Sequence, residues 1–276
     1  MKKRMIAAAT MMVSVGFMCN QPVPVAASVA VIDYTNMQKY VYENGDAVYG
    51  SIDETGLNGY GMAVYANGDC YEGLFDDGVR NYWGVYTFDN GDVLIGRDVD
   101  GVTEGMAVYI YNNHSILIGY YDNGELNGDG LILDTESEEL YLGKWEDGEA
   151  VENVEYDTWR IDDNEICMGT KINGKLEDLG CLVNVESGGF HIGEFDNGLP
   201  NGVGFRMFAD GTWEIGDYQD GELDGYFVYF TEDGHKLVGY QVDGQYYQGA
   251  LAYYRKNEAM VVTDEEGNTI GSIMRS

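Results

Sequence analysis

The stretch His191-Ile192-Gly193-Glu194-Phe195-Asp196-Asn197-Gly198-Leu199-Pro200-Asn201-Gly202-Val203-Gly204, closed by Asp210-Gly211, decides the fold. Its first five residues alternate in character with a period of two, as a half-buried strand does. Asn197-Gly198 then supplies a dipeptide that accepts positive φ, the requirement of a two-residue hairpin turn. A second short strand follows from Gly204 to Phe208, and Asp210-Gly211 offers the next turn. One unit is therefore strand, turn, strand, turn.

The unit recurs. Tyr71-Glu72-Gly73-Leu74-Phe75-Asp76-Asp77-Gly78 is followed by Trp83-Gly84 and then by Asp89-Asn90-Gly91. The leading glycine returns at Gly50, Gly73, Gly96, Gly119, Gly143, Gly169, Gly193, Gly216 and Gly239, at intervals of 23, 23, 23, 24, 26, 24, 23 and 23 residues. Turn glycines follow at Gly78, Gly124, Gly148, Gly198, Gly221 and Gly244, and others at Asn67-Gly68, Asn90-Gly91, Asp210-Gly211 and Asp233-Gly234. Two turns per unit leave strands of ordinary length. The expected fold is all-β: an elongated, twisted antiparallel meander of about nine tandem hairpins, an open sheet of roughly eighteen strands. At about 4.8 Å per strand it would run on the order of 80–90 Å. A composition of 39 Gly, 23 Tyr and 3 Pro agrees. A lone hairpin cannot bury its apolar face, so rings of one unit are expected to lie over side-chain-free glycines. Valine at Gly193 or Gly204 would remove that space.

The pattern Tyr-x-Gly-x-aromatic-x-Asp/Asn-Gly, followed by Gly-x-Gly, resembles the MORN repeat. The resemblance covers approximately residues 40–254 and is most specific in the units starting at Tyr71, Leu117, His191 and Glu214. It implies a curved, twisted sheet that acts as a protein-binding or assembly platform. Phosphoinositide binding, claimed for some members, transfers badly to so acidic a chain. The choline-binding wall modules of bacterial surface proteins are a weaker likeness, since their regular Trp-Tyr-Tyr signature is missing.

Around the array, Lys2, Lys3 and Arg4 precede the apolar run Met5–Cys19, and Val25-Ala26-Ala27 offers a signal peptidase site. The run is too short to span a bilayer. Residues 1–27 read as a cleaved signal peptide, 28–39 as an N-terminal cap adding an edge strand, 40–254 as the array and 255–276 as a C-terminal capping hairpin. About 20 residues after the last unit leave no space for an appended enzyme. The array degenerates over 149–190: residues 149–166 contain no glycine at all, and the following unit keeps only Gly180 of its pair. A hinge or docking insertion exposing Trp159 and Arg160 is one reading. Drift within a tolerant repeat is the simpler one.

The net charge of −33 becomes more negative when the three basic residues of the leader are removed. No basic patch is left to neutralise phosphates, so nucleic acid is a poor partner, and anionic lipid headgroups would repel the surface for the same reason. Weak calcium binding at turns such as Asp76-Asp77 and Asp162-Asp163 is the one cofactor considered, and their spacing matches no EF-hand loop. After cleavage Cys70, Cys167 and Cys181 remain, an odd number that argues against a disulfide framework. Cys167 and Cys181 fall in one predicted hairpin, where two free thiols are expected in preference to a bridge.

No metal-ligand spacing, nucleophile elbow or phosphate loop occurs, and His114, His191 and His235 read as ordinary turn-proximal residues. No catalytic, cofactor or metal residue is assigned, and the ligand-binding residues stay open. Tyr226, Phe227, Tyr229 and Phe230, with Tyr246 and Tyr247, place aromatics on both strand faces, which suits partner docking or sugar stacking. The expectation is an exported, non-catalytic scaffold that binds another protein at the cell envelope or outside the cell. The alternative is a cell-wall glycan-binding module. Exposed aromatics would favour the glycan, and a carboxylate pair enclosed in a cleft would bring back an enzyme.

Overall fold

The computed structural model describes residues 38–134, 137 and 140–230 in full, and the backbone of further strands up to Ile273. The segment expected to be a signal peptide, 1–27, and most of the expected N-terminal cap, 28–39, lie outside the described residues. In chain order the strands are β1 (Gln38–Val41), β2 (Ala47–Ile52), β3 (Leu57–Val64), β4 (Cys70–Asp76), β5 (Val79–Thr87), β6 (Val93–Val99), β7 (Val102–Ile110), β8 (Ile116–Asp122), β9 (Glu125–Asp134), β10 (Glu139–Glu146) and β11 (Glu149–Asn153). There follow β12 (Asp157–Arg160), β13 (Glu165–Ile172), β14 (Lys175–Asn184), β15 (Phe190–Asp196), β16 (Leu199–Met207), β17 (Trp213–Gln219), β18 (Glu222–Phe230), β19 (Lys236–Val242), β20 (Gln245–Tyr246), β21 (Ala252–Tyr254), β22 (Met260–Thr263) and β23 (Thr269–Ile273).

The fold is all-β, and its strands pair with their sequence neighbours as a meander must. The meander is nevertheless not one ribbon. Strands β1–β11 form one sheet and β12–β20 form a second, with β21 beside β19; β22 and β23 make a separate hairpin. The two large sheets are folded face to face over one core. Ile95, Ile118 and Leu131 of the first sheet share it with Ile192, Phe205 and Ile215 of the second, all buried. Strand β7 lies near β16, and β9 near β14, as expected when a ribbon is doubled on itself.

The glycine-free stretch is where the chain passes from one sheet to the other: β11 on its near side is exposed, and the apolar residues beyond it turn inward. Pairing of β10 with β11 runs to Gly143 opposite Asn153. Beyond it the chain crosses to the other sheet, where Asp157 pairs with Gly169. Val154 and Tyr156 plug the corner: both pack on the shared core, the Val154 N–H donates to Leu142 O at 2.8 Å, and the Tyr156 hydroxyl reaches Leu140 O at 3.1 Å. Without the glycine pair the ribbon cannot continue its outer packing, and the apolar residues there close the core instead.

The repeat glycines have two distinct duties. Just beyond most leading glycines the ladder slips, as between Gly73/Phe75, Gly119/Tyr121 and Gly193/Phe195. The extra residues are in the following strand, where the first glycine of Gly-x-Gly takes the left-handed region, as Gly202 does at φ 105°. This is a β-bulge built into every well-formed unit. Tyr82 (φ 63°) and Asp178 (φ 58°) hold the same conformation without glycine. The second glycine sits where no Cβ fits.

The two turn sets differ. Asp77-Gly78, Asp100-Gly101, Asn197-Gly198 and Asp220-Gly221 have positive φ at both residues, the two-residue turn expected. Asn67-Gly68 belongs to a wider loop in which the Tyr65 N–H bonds Asp69 O and the Gly68 N–H bonds Tyr65 O.

Candidate functional site

Strand alternation gives each sheet a second face, turned away from the shared core. On the first sheet the cross-strand row there reads Tyr40, Val48, Ala63, Tyr71, Tyr86, Leu94, Tyr109, Leu117, Ile132 and Tyr141, each directly opposite the next. Two residues towards the wide loops stand Tyr42, Tyr65, Phe88 and Tyr111, spaced 23 residues apart. The two rows interleave into a staircase of rings. Centroids are 5.8 Å apart for Tyr65–Tyr86, 4.7 Å for Tyr86–Phe88, 5.6 Å for Phe88–Tyr109 and 4.8 Å for Tyr109–Tyr111. These rings are half-buried, so their faces are shared between the sheet and solvent. Tyr40 and Tyr42 at the start of the staircase are exposed.

A ladder of carboxylates fixes the staircase. Asp46, Asp69 and Asp92 each hold the wide loop of the next unit: they accept the N–H of Ala66 (2.8 Å), Asp89 (2.9 Å) and Asn112 (2.7 Å). Asp69 and Asp92 also accept the hydroxyls of Tyr86 (2.6 Å) and Tyr109 (2.7 Å). Burial works against the charge of Asp69 and Asp92. Hydrogen bonds from the tyrosine, the loop amide and the neighbouring asparagine outweigh it and hold both carboxyls below their ordinary range. These residues were not singled out in the sequence, though Asn-Gly-Asp at 44–46, 67–69 and 90–92 carries the signal.

A second feature is a cleft of about 350 Å³ between the sheets, lined by Tyr120, Asp129, Leu142, Lys144, Val154, Thr170, Asp178, Leu179 and Glu194. Residues one past the leading glycine meet across this rim. The Tyr120 hydroxyl donates to Glu194 at 2.7 Å, and that bond, with burial second, pushes its phenol up to about 12. Burial raises the Asp217 carboxyl to about 6, against a smaller opposing pull from the Tyr226 backbone and the charge of Arg97. Glu194 also accepts the Val203 N–H at 2.9 Å, and Asp129 stands 3.6 Å from Lys144. The cleft thus gathers three carboxylates, Asp129, Asp178 and Glu194, of which Glu194 is bonded to Tyr120 and Val203.

On the outer face of the second sheet, His191 corrects the expectation of a turn-proximal histidine. It is buried in β15 over Gly193 and Gly204, with ring centroids 5.3 Å from Phe195 and 4.6 Å from Tyr218. Neither ring nitrogen has a hydrogen-bond partner. Burial, with Arg206 second, drives its pKa well below the usual histidine range. His114 does lie in a turn, at φ 70°, and His235 is outside the described residues.

Of the nine leading glycines, Gly50 to Gly216 stand at equivalent outer-face positions, and Gly239 pairs with Phe227 in β19. Leu57 fills the space above Gly50 and Gly61, Tyr71 that above Gly73 and Gly84, Trp145 that above Gly130 and Gly143, and Leu176 that above Gly169 and Gly180. Phe227 takes the glycine position in β18 and is buried, while Phe230 turns inward and stacks on Trp213 at 3.7 Å. The side chains of Tyr246 and Tyr247 lie outside the described residues. Trp159 is half-buried beneath Lys171, 4.8 Å from its ring, and Arg160 is exposed.

Cys70, Cys167 and Cys181 are free and buried. Cys181 faces the shared core and Cys167 the outer cluster with Leu176 and Phe195, so the pair is separated by the sheet. Burial raises the Cys167 thiol to about 11. Among the described residues no three His, Cys, Asp or Glu converge on a metal position. Asp162 instead caps its own turn, accepting the N–H of Asn164 and of Glu165.

No protein-family model matches the chain, and no curated protein matches it. Similar solved structures include the TCP10 domain of CPAP from Danio rerio, at 14% identity and TM-score 0.27 over 86% of this chain and 100% of that one. The TCP domain of SAS-4 (dCPAP) from Drosophila melanogaster, in complex with a proline-rich motif of Ana2 (dSTIL), has 13% identity and TM-score 0.21 over 82% and 99%. BamB from Moraxella catarrhalis has 12% identity and TM-score 0.23 over 84% and 92%. Likeness at this level assigns neither family nor function to the chain.

Proposed function

We propose that the chain is an exported, non-catalytic scaffold of the MORN type that holds another protein against the outer face of its first sheet. The observation that carries this reading is the half-buried staircase Tyr65–Tyr86–Phe88–Tyr109–Tyr111, locked in place by Asp69 and Asp92. Preorganised aromatic faces bind at little entropic cost, because the rings are already ordered. Such aromatic anchors are enriched where proteins meet. The 23-residue hairpin repeat supports the scaffold class, and the basic-then-apolar start of the chain supports export. A photo-cross-linking residue placed at exposed Tyr42 tests the reading on intact cells. A discrete adduct with one protein, abolished by competing purified chain, is expected; labelling with no discrete adduct would sink it.

A glycan module is the second reading, favoured by the periodicity of the same rings. Corresponding rings recur every two strands, about 9.6 Å, close to the length of a disaccharide in an extended β-linked polymer. Co-sedimentation with cell-wall polysaccharide decides between them: saturable pelleting, reduced by loss of Phe88, belongs to the glycan reading alone.

A further inference from the structure

We infer that the partner presents to the staircase a basic segment in polyproline II conformation, with arginine or lysine at every third residue. This rests on the scaffold reading above and names the chemistry of its partner.

Charge sets the sign. Between residues 38 and 153 the first sheet has Lys39, Arg80, Arg97 and Lys144 as its basic residues, against 24 Asp and Glu. Arg80 is paired with Asp98 at 3.5 Å and Lys144 with Asp129 at 3.6 Å. A complementary surface must bring positive charge.

Ring chemistry sets the mode. The hydroxyls of Tyr86 and Tyr109 donate to carboxylates, which makes the ring faces richer in electrons and better hosts for a cation. The chain already uses this mode once within the staircase. The Arg80 guanidinium stands 5.2 Å from the Tyr71 ring and 4.9 Å from that of Tyr86. One unit later Thr103 occupies the equivalent position and gives its hydroxyl to Asp98. Among the described residues the cation–ring contacts are at Tyr49, Tyr71, Tyr86, Trp159 and Tyr218, so Tyr109 and Tyr111 receive no cation from any described residue.

Spacing sets the conformation. Equivalent rings lie about 9.6 Å apart, two strand spacings. A polyproline II chain turns once in three residues and advances about 9.3 Å, so every third side chain meets the next ring on the same face. A β-strand ligand returns to the same face after about 6.8 Å, and an α-helix after about 5.4 Å. Neither matches.

The test is fluorescence anisotropy of the purified chain with a labelled peptide of four Arg-Pro-Pro repeats. The comparison is a peptide of identical composition with its arginines in one block. The spaced peptide is expected to bind about tenfold tighter, and the double variant Tyr65→Leu/Tyr111→Leu to lose about tenfold of that affinity. Leucine keeps the apolar packing, and a urea melt confirms that the variant is folded. Equal affinity for both peptides would reduce the effect to bulk charge and overturn the inference, as would undiminished binding by the variant. If the spaced peptide fails while the Tyr42 cross-link still yields its discrete adduct, only the basic segment falls. If the adduct is absent too and polysaccharide pellets the chain, the surface belongs to a glycan and both readings fall.

Discussion

Tyr71 in the first sheet and His191 in the second occupy the same place in the repeat, two residues before the leading glycine, and their surroundings have diverged. Each ring lies over a glycine pair, Gly73/Gly84 for the tyrosine and Gly193/Gly204 for the histidine. Each has an arginine close by that is paired to an acid: Arg80 with Asp98 at 3.5 Å, and Arg206 with Glu214 at 3.6 Å. Along the first sheet the row through Tyr71 is apolar or aromatic throughout. Along the second it runs Leu182, His191, Arg206, Glu214 and Tyr229. The glycine floor therefore specifies only that something flat must cover it. Whether that face becomes an aromatic platform or a buried charge network is decided by the residues two places on.

The largest effect should come from breaking the floor itself. A Cβ at Gly193 would stand 2.5 Å from Val203 O and 2.6 Å from the Gly204 Cα, backbone atoms that cannot move aside. A Cβ at Gly84 would meet the Tyr71 phenol oxygen at 2.2 Å, the far end of a side chain that can swing. Gly193→Ala should cost about 3 kcal/mol or more in a urea melt, and Gly84→Ala about 1–2 kcal/mol. Equal costs at the two sites would show that the tyrosine is held as rigidly as backbone.

Acid should separate the two regions next. His191 is buried without a partner, so its folded pKa lies below the 6.5 of the unfolded chain. The unfolded state then binds the extra proton, and stability present above that pH is lost as the pH falls below it, by up to about 1.4 kcal/mol per unit. Asp217 acts oppositely: its folded value of about 6 lies above the unfolded 3.8, so stability rises as the pH falls through that window. The groups facing His191 are Arg206, Glu214 and Tyr218, and the Glu214 carboxyl is itself raised by burial. The variants isolate the contributions. His191→Phe should outgain wild type progressively below pH 6.5, and Asp217→Asn, having lost the opposing gain, should fall more steeply than wild type between about pH 6 and 4. A constant difference between His191→Phe and wild type across that range would mean that the imidazole is solvated.

Much of this fold was legible because the glycine register is a backbone requirement: a bulge that needs positive φ and a floor that rejects Cβ leave the same mark in every unit. The doubling of the ribbon was harder to read. Its trace at 149–166 is an absence of glycine, and absence looks the same for a corner, an insertion or drift. The staircase was half visible. Abundant tyrosines were evident, but attention to Tyr226–Phe230 missed the row at Tyr42, Tyr65, Phe88 and Tyr111, whose 23-residue spacing repeats that of the glycines. His191 was misread because a histidine between loops and strands carries no sign of burial until its register against Gly204 is known.

The smallest prediction concerns what holds the two halves in register. Apolar burial between the sheets is non-directional, so it favours doubling without choosing which strands meet. The polar residues one past each leading glycine can choose: Tyr120 reaches Glu194 where β8 meets β15, and the charge of Arg97 acts on Asp217. Tyr120 is about two-fifths exposed, so its bond competes with water. Tyr120→Phe should therefore cost only about 0.5–1 kcal/mol. It should also remove the tyrosine that titrates near pH 12 from the ultraviolet difference spectrum. Adding Arg97→Gln should cost more than the two single changes combined if the hydrogen bond and the charge attraction both select one register, because either alone can still hold it. Strict additivity would leave the register to the shape of the apolar core.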